Sequence, residues 1–154
     1  MSQNNMNLPI LLVEDNPVDV DLTLRAFKKQ NLANPIIVAR DGEEAINQIQ
    51  LWEKGNSIPV VILLDLKLPK YSGLEVLKEI KSHAEFKTIP VVILTSSSED
   101  SDVEKAYKLG ANSYIVKPVE FNKFVEVAAQ IELYWNVLNK PFIPIIQNPN
   151  LSQK

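Results

Sequence analysis

The sequence predicts an α/β protein in which five parallel strands form one doubly wound sheet with helices on both faces. Two observations support this prediction. Five short apolar runs alternate along the chain with five longer segments of helical periodicity. The apolar runs are continuous, which is typical of strands buried on both faces of a parallel sheet. Because strands that alternate with helices are joined by right-handed crossovers, the strands are expected to be parallel.

The first strand–helix pair lies near the N-terminus. Residues 9–13 form a short apolar strand that ends at an acidic pair. Pro17 is expected at the first position of the following helix, where its missing amide proton is not needed. Val20, Leu24 and Phe27 recur at helical spacing, so they are predicted to face the sheet.

The second pair begins with a strand at residues 35–39 and a turn at residues 41–42. Glu43 and Glu44 then charge the first turn of a helix, where the helix dipole favours acidic side chains. The inward side of this helix is predicted to carry Ala45, Ile46, Ile49 and Trp52. Gly55 and the asparagine after it are typical of a helix end.

The third and fourth pairs follow the same plan. Residues 59–64 are a strand, and Ser72 and Gly73 precede a helix whose inward side is predicted to carry Leu74, Leu77 and Ile80. Residues 90–94 form the fourth strand. The helix after it has an acidic first turn at residues 99–100 and ends at Gly110.

The fifth pair consists of a strand at residues 113–116 and a helix at residues 121–138. A chain of 154 residues suffices for one domain with a substantial core. We therefore expect a single domain at residues 9–138. A flexible N-terminus at residues 1–8 precedes it, and a proline-rich tail at residues 139–154 follows it.

The composition excludes several functional classes. The absence of cysteine removes disulfides, thiolate metal sites and thiol catalysis, and it suits a reducing cytoplasm. A net charge of -3 disfavours a nucleic-acid surface. No segment reaches the roughly 18 apolar residues that span a bilayer, and the N-terminus lacks the regions of a signal peptide. We expect a cytoplasmic protein that binds neither nucleic acid nor membrane.

Polar side chains follow four of the predicted strands where each strand ends. Glu14 and Asp15 follow the first strand, Asp65 the third, Thr95 the fourth and Lys117 the fifth. Ligands of open parallel sheets bind outside the carboxyl ends of the strands, near the point where the winding reverses. These five side chains are therefore expected to lie close together at one edge of the sheet.

The chemistry of this group indicates a metal and a phosphate. Neighbouring carboxylates need a cation, and oxygen ligands without His or Cys favour Mg²⁺. Lys117 suits a phosphate oxygen, and the hydroxyl of Thr95 can bond another. Asp65 lies at the centre of the sheet, and an aspartate can accept a phosphoryl group as an acyl phosphate.

The chain resembles the receiver domains of two-component response regulators, which have a flavodoxin-like (βα)5 fold. Four segments carry the resemblance, in the order and spacing of the family: LLVEDN at 11–16, LLDLKLPKYSG at 63–73, LTSS at 94–97 and GANSYIVKP at 110–118. Each is weak alone, but the ordered set is specific. The resemblance covers roughly residues 9–138, and no core position departs from the pattern.

The resemblance implies a role for each site residue. Asp65 would be the phosphoacceptor. Glu14 and Asp15 would hold Mg²⁺ together with Asp65 and the backbone carbonyl of Lys67. Thr95 and Lys117 would contact the phosphoryl group.

The resemblance also implies a switch. Thr95 would move toward the phosphoryl group, and the ring of Tyr114 would turn inward into the space it leaves. The peptide bond between Lys117 and Pro118 is expected to be cis, as in the family. The expected outcome is a phosphorylated signalling protein whose only reactions are self-phosphorylation from a donor and slow dephosphorylation, and not an enzyme.

Two less specific segments, EDNPVDVDLTLRAF at 14–27 and SHAEFKTIPVVILT at 82–95, resemble the small response regulators that partner phytochromes. The implied donor is a sensor histidine kinase of phytochrome-like type. Phosphorylation would change dimerisation or partner binding through the fourth helix, fifth strand and fifth helix. DNA contact is not expected, because no helix-turn-helix segment remains to be placed.

The last helix and the tail carry apolar residues beyond those needed to cover the sheet. Val127, Tyr134 and Val137 form a second apolar line on the helix, and Phe142 and Ile143 lie among prolines in the tail. A helix that is apolar on more than one side needs more than one burial surface. The tail either folds on its own domain or, as we favour, helps to form a symmetric homodimer.

Three other functions fit the sequence less well. Phosphatases of the haloacid dehalogenase type need a second aspartate two residues after the nucleophile, where this chain has Lys67. A flavodoxin-like flavin or nucleotide binder needs a phosphate-binding loop after the first strand, where Glu14 and Asp15 would repel a phosphate. A receiver that serves only as an unphosphorylated docking module would not need the intact site.

Overall fold

The structure is a computed structural model that describes residues 8–117 and 120–138, and it contains one five-stranded sheet. The strands are β1 (Ile10–Val13), β2 (Ile36–Ala39), β3 (Val61–Leu64), β4 (Val91–Thr95) and β5 (Ser113–Val116). Their order is β2-β1-β3-β4-β5, and every neighbouring pair is parallel. The predicted doubly wound α/β fold is confirmed.

Five helices cover the sheet in two groups. They are α1 (Pro17–Lys29), α2 (Gly42–Glu53), α3 (Gly73–Ser82), α4 (Asp100–Lys108) and α5 (Phe121–Leu138). Helices α1 and α5 contact each other over one face, while α2, α3 and α4 contact one another in sequence order over the other. Within the described residues, no helix is long and apolar enough to cross a membrane.

The side chains of β1 alternate between two hydrophobic cores. Leu11 and Val13 point into the core beneath α2, α3 and α4, whereas Ile10 and Leu12 point into the core beneath α1 and α5. None of the four is more than 2% exposed. Burial of each such side chain contributes about 1.5–3 kcal/mol relative to leaving it in water. The central strands are therefore fixed from both sides.

The two edge strands are less completely covered than the central ones. Ile37 of β2 is 36% exposed, and Val116 of β5 is 41% exposed. Each of these strands has only one neighbour in the sheet. Continuous burial therefore holds for β1 and β3, but the expectation of burial on both faces fails at the edges.

Helix α1 begins at Pro17 and is capped by Asn16, whose side-chain oxygen accepts hydrogen bonds from the amides of Val18 and Asp19. The sheet-facing side differs from the prediction at one position. Leu24 is 36% exposed and Thr23 is buried. The hydroxyl of Thr23 donates to the carbonyl of Asp19 at 2.7 Å, so this polar side chain is buried with its hydrogen bond satisfied.

The prediction that Val127 belongs to a second apolar side of α5, which would form a dimer or partner surface, is wrong. Val127 is 4% exposed and lies in the same core as Phe124 and Ala128. Helix α5 shares a core with the sheet and also packs against α1, so its buried stripe is wider than contact with the sheet alone requires. Val127 is already covered within one chain and offers no surface to a partner.

Several predicted features lie outside the described residues. These are the ends of the chain at residues 1–7 and 139–154, with Phe142 and Ile143 among them, and Pro118 with its peptide bond. The side chains of Tyr134 and Val137 also lie outside the described part. The flexible N-terminus, the role of the tail in a homodimer, the cis bond and these surface residues therefore remain predictions.

Candidate functional site

The carboxyl ends of β1, β3, β4 and β5 bring the predicted polar side chains together at one edge of the sheet. They border a cleft of about 460 Å³. The cleft is lined by Glu14, Asp15, Asn16, Pro17, Asp19, Asp65, Lys67, Ser96 and Lys117. The predicted convergence of the acidic residues and the lysine is therefore present. Thr95 ends β4 beside the cleft and is fully buried.

The sheet itself fixes the backbone of the main site residues. The amide of Glu14 donates to the carbonyl of Ala39 at 2.9 Å, and the amide of Asp65 donates to the carbonyl of Val13 at 3.0 Å. The amide of Lys117 donates to the carbonyl of Thr95 at 2.8 Å. The hydrogen bonding of the sheet thus extends one residue beyond these strand ends, so the side chains project from a rigid base.

Three carboxylates form a group that fits a hard divalent cation. Oxygen atoms of Glu14, Asp15 and Asp65 all lie within 4.8 Å of one another. Glu14 and Asp65 are 3% and 5% exposed, whereas Asp15 is exposed to solvent. An all-oxygen donor set of this kind, open on one side to water, is what Mg²⁺ or Mn²⁺ prefers.

The ammonium group of Lys117 lies among the carboxylates. Its Nζ donates to Glu14 Oε1 at 2.6 Å, to Asp19 Oδ2 at 2.9 Å and to Asp65 Oδ2 at 3.0 Å. The side chain of Lys117 is only 12% exposed. All three protons of the ammonium are therefore used, and one cation is shared among three acids.

Asp19 is the site residue that sequence reasoning missed. It lies in the first turn of α1, where acidic residues are common because the helix dipole favours them. Its position one turn after the acidic pair was the only available signal, and that signal does not distinguish a site residue from an ordinary helix start. Only the contact with Lys117, which lies 98 positions further along the chain, reveals that Asp19 belongs to the site.

Burial and charge shift the ionisation of this group. Burial raises the pKa of Glu14 from its ordinary value of 4.5 to about 7; the hydrogen bond from Lys117 opposes this rise and the negative charge of Asp65 adds to it. Burial lowers the pKa of Lys117, but its hydrogen bonds to Asp19, Glu14 and Asp65 outweigh burial, so its pKa lies above the usual range. The lysine is therefore a permanent cation.

The loop after β3 wraps closely over Asp65. The amide of Lys67 donates to Asp65 Oδ1 at 3.1 Å, and the amide of Gly73 donates to the carbonyl of Leu66 at 2.9 Å. A Cβ at Gly73 would lie 2.2 Å from the carbonyl oxygen of Asp65, so only glycine fits there. This packing keeps Lys67 at the wall of the cleft, beside the carboxylate group.

Thr95 and Tyr114 both contact the turn that follows β4. The hydroxyl of Tyr114 donates to the carbonyl of Ser97 at 2.9 Å, and the amide of Ser97 lies 3.4 Å from Thr95 Oγ1. The ring of Tyr114 packs partly buried against the core, and burial raises the pKa of its hydroxyl. One residue, Ser97, thus joins the end of β4 to β5.

One protein family and several individual proteins match this chain in sequence. The family described as "Response regulator receiver domain" matches residues 10–129. The chain is 42% identical over 127 residues to a probable methanogenesis regulatory protein, FilR2, of Methanothrix harundinacea, with 82% of each chain covered. It is 39% identical over 135 residues to the response regulator Rcp1 of a Synechocystis strain, covering 86% of this chain and 92% of Rcp1.

Two solved structures extend the comparison. A phosphorylated cyanobacterial phytochrome response regulator, RcpA, superposes with a TM-score of 0.75 at 36% identity, covering 90% of this chain and 99% of RcpA. The Mn(2+)-bound form of response regulator Rcp1 superposes with a TM-score of 0.73 at 37% identity, covering 89% of this chain and 99% of that structure. One of these relatives was thus solved in a phosphorylated form and the other with a divalent cation.

Proposed function

The chain belongs to the response regulator receiver domain family, and from this we propose that Asp65 accepts a phosphoryl group from a sensor histidine kinase. Receiver domains of this family are the phosphoacceptor components of two-component signalling. The observation that carries the assignment is the position of Asp65, which directly follows the central strand β3 and has its Oδ2 3.0 Å from Nζ of Lys117. A carboxylate with a permanent cation beside it is suited to receive an anionic group.

The proposed step is a transfer between two covalent carriers. A carboxylate oxygen of Asp65 forms a bond to phosphorus while the P–N bond to the donor's histidine breaks. The electron pair of that bond goes to the imidazole nitrogen, and the product on this chain is an acyl phosphate. Lys117 offsets the negative charge of the phosphoryl oxygens, and the hydroxyl of Thr95 bonds one of them.

We propose that Mg²⁺ is the cofactor. Glu14, Asp15, Asp65 and the backbone carbonyl of Lys67 would hold it, and the all-oxygen donor set supports this choice. When bound, the cation offsets charge that develops on the transferring group. The Mn(2+)-bound form of Rcp1 is a further support from a relative.

The proposed output is a change of surface that begins at Thr95. Movement of its hydroxyl toward the phosphoryl group would displace the turn after β4, which Tyr114 contacts through the carbonyl of Ser97. That turn leads directly into α4, so the surface of α4, β5 and α5 is the one whose two states would be biased. Chemistry by the chain itself is limited to gaining the phosphoryl group and slowly losing it.

We propose that the donor is a phytochrome-like sensor kinase and that the transfer takes place in the cytoplasm. Support comes from relatives described as a cyanobacterial phytochrome response regulator and as bacteriophytochrome response regulators, the latter 48% and 49% identical to this chain. Neither nucleic acid nor membrane is a proposed partner.

We also propose that the chain forms a homodimer through Tyr134, Val137, Phe142 and Ile143. Sedimentation of the full chain and of a chain ending at Leu138 tests this directly. We expect a dimer for the full chain and a larger monomer fraction for the shorter one. Equal monomer masses for both would contradict the proposed role of the tail in a dimer.

The phosphoacceptor role is tested by incubating the protein with acetyl phosphate and Mg²⁺ and measuring its intact mass. We expect one phosphoryl increment that hydroxylamine removes, and no increment in Asp65→Asn. Asp21→Asn is the matched control, because Asp21 is exposed on α1 and pairs only with Arg25 of the same helix among the described ion pairs. An unmodified wild-type protein, or an equally modified Asp65→Asn, would contradict the role.

A further inference from the structure

Lys117 binds three carboxylates, but these three would have different partners once a divalent metal ion and a phosphoryl group are bound. Among the described residues, the group of acids that could hold a metal contains Glu14 and Asp65 and does not contain Asp19. A divalent metal ion held by Glu14 and Asp65 would repel the ammonium of Lys117, and a phosphoryl group would convert the carboxylate of Asp65 into an acyl phosphate, a mixed anhydride. Together, the metal ion and the phosphoryl group would weaken the contacts of Lys117 with Glu14 and Asp65, which are two of the three that hold it in place.

We propose that Asp19 is a positioning residue that keeps the ammonium of Lys117 at the site while its contacts with Glu14 and Asp65 are being replaced. This inference rests on the proposed function of Asp65. One ammonium proton stays on Asp19 Oδ2, at the 2.9 Å contact already present, and the other two turn toward phosphoryl oxygens. In this role Asp19 acts through Lys117, with which its carboxylate forms the 2.9 Å contact, and not on the phosphorus itself.

Asp19 is itself held rigidly, as an anchor must be. Its amide donates to Asn16 Oδ1 at 3.2 Å, and its carbonyl accepts from Thr23 Oγ1 at 2.7 Å. Its side chain is 26% exposed, which leaves it partly shielded from solvent. The first turn of α1 is thus fixed at both its start and its end, and Asp19 presents its carboxylate from a fixed backbone.

The geometry also explains why a lysine at this place needs an anchor. Its ammonium is the end of a long flexible stem with many rotamers, so the position of the charge is poorly defined without a partner. Placement errors of about 1 Å in a catalytic group can lower a rate about a hundredfold. Asp19 is the one of the three partners that neither the proposed metal nor the phosphoryl group claims.

The first experiment compares phosphorylation rates of three variants with phosphoramidate as donor, at Mg²⁺ concentrations that saturate each variant. We expect Asp19→Ala to lower the rate about tenfold. Asp19→Asn should stay within about threefold of wild type, because its amide oxygen still accepts one proton from Lys117. Asp21→Ala, the same change on an exposed residue of the same helix, should leave the rate unchanged.

The Asn and Ala variants lose the same charge, so Mg²⁺ binding should weaken equally in both. A rate difference between them at saturating Mg²⁺ therefore reports the hydrogen bond to Lys117 and not the loss of the negative charge. A rate for Asp19→Ala within about twofold of wild type, or an equal loss in the Asn and Ala variants, would overturn the proposal.

The second experiment does not depend on phosphorylation. In protein with ¹⁵N-labelled lysine and Mg²⁺, the Lys117 ammonium resonance, identified by its loss in Lys117→Arg, should be sharp in wild type and Asp19→Asn. It should broaden in Asp19→Ala as the ammonium exchanges with water. A resonance equally sharp in Asp19→Ala would overturn the anchoring role. If wild type takes no phosphoryl group but shows this pattern, the proposed function fails and the anchor stands.

Discussion

The hydroxyl of Tyr114 donates to the carbonyl of Ser97 across 2.9 Å and so ties β5 to the turn that follows Thr95. The amide of the same Ser97 lies 3.4 Å from Thr95 Oγ1. A displacement of the Thr95 hydroxyl would therefore act directly on Ser97, whose carbonyl accepts the hydrogen bond from Tyr114. This short connection links the interior of the site to the start of α4.

Tyr114→Phe tests the connection. We expect the free energy of unfolding to fall by about 1 kcal/mol, because the Ser97 carbonyl loses its partner. Amide hydrogen exchange at residues 97–99 should become faster, as measured by NMR. Tyr107→Phe is the control. The ring centroids of Tyr107 and Tyr114 are 6.5 Å apart, and residue Tyr107 is 48% exposed. Unchanged exchange in Tyr114→Phe would show that the hydroxyl does not hold the turn.

Removal of the Lys117 ammonium, which three carboxylates share, should destabilise the metal-free protein. Lys117→Met leaves buried carboxylates without their partner, and we expect the free energy of unfolding in EDTA to fall by about 3 kcal/mol. Mg²⁺ should restore most of this loss, since it supplies the missing charge. Urea titrations with and without Mg²⁺ measure both effects. The exposed Lys123, changed to Met as a control, should alter stability by less than about 0.5 kcal/mol.

If Lys117→Met is as stable as wild type in EDTA, the carboxylates do not depend on the lysine.

The raised pKa of Glu14 predicts a pH dependence of the metal-free protein. In the unfolded chain Glu14 loses its proton near pH 4.5, whereas in the folded protein it keeps the proton up to about pH 7. Between these values the folded state binds more protons, so stability from this group falls as pH rises. The full effect corresponds to about 3 kcal/mol.

Other acidic groups also titrate in this range, so the measurement compares wild type with Glu14→Gln. The difference in free energy of unfolding between the two should change between pH 4.5 and 7 and be level above that range, in EDTA. A difference that is constant over the whole range would show that the pKa of Glu14 is not raised. Mg²⁺ affinity should rise with pH over the same interval, because the metal binds the ionised form.

The fold and most of the site could be predicted because they depend on local pattern and on one property of parallel sheets. Glu14, Asp65, Thr95 and Lys117 lie far apart along the chain, yet each ends or directly follows a strand, and these strand ends must meet at the same edge. That rule needs only the order of the elements. The apolar runs that define the strands are short but continuous, so their ends were also visible.

What could not be predicted depends on how helices rotate and pack. Leu24 and Thr23 are neighbours, and which one faces the sheet is decided by the rotation of α1 on the sheet and α5. Val127 is buried for a similar reason, because α5 contacts both the sheet and α1. An acidic residue such as Asp19 is ordinary in the first turn of a helix, and its pairing with Lys117 joins residues 98 positions apart.

The identity of the phosphorylated residue is the central claim, and borohydride reduction tests it most directly. Borohydride attacks the acyl carbon of an aspartyl phosphate, releases phosphate and leaves homoserine in place of the aspartate. After treatment with acetyl phosphate and Mg²⁺, peptide mass spectrometry should find homoserine at position 65 and aspartate at positions 15 and 19. Homoserine at Asp15 or Asp19, or intact aspartate at all three positions, would contradict the assignment of Asp65 as phosphoacceptor.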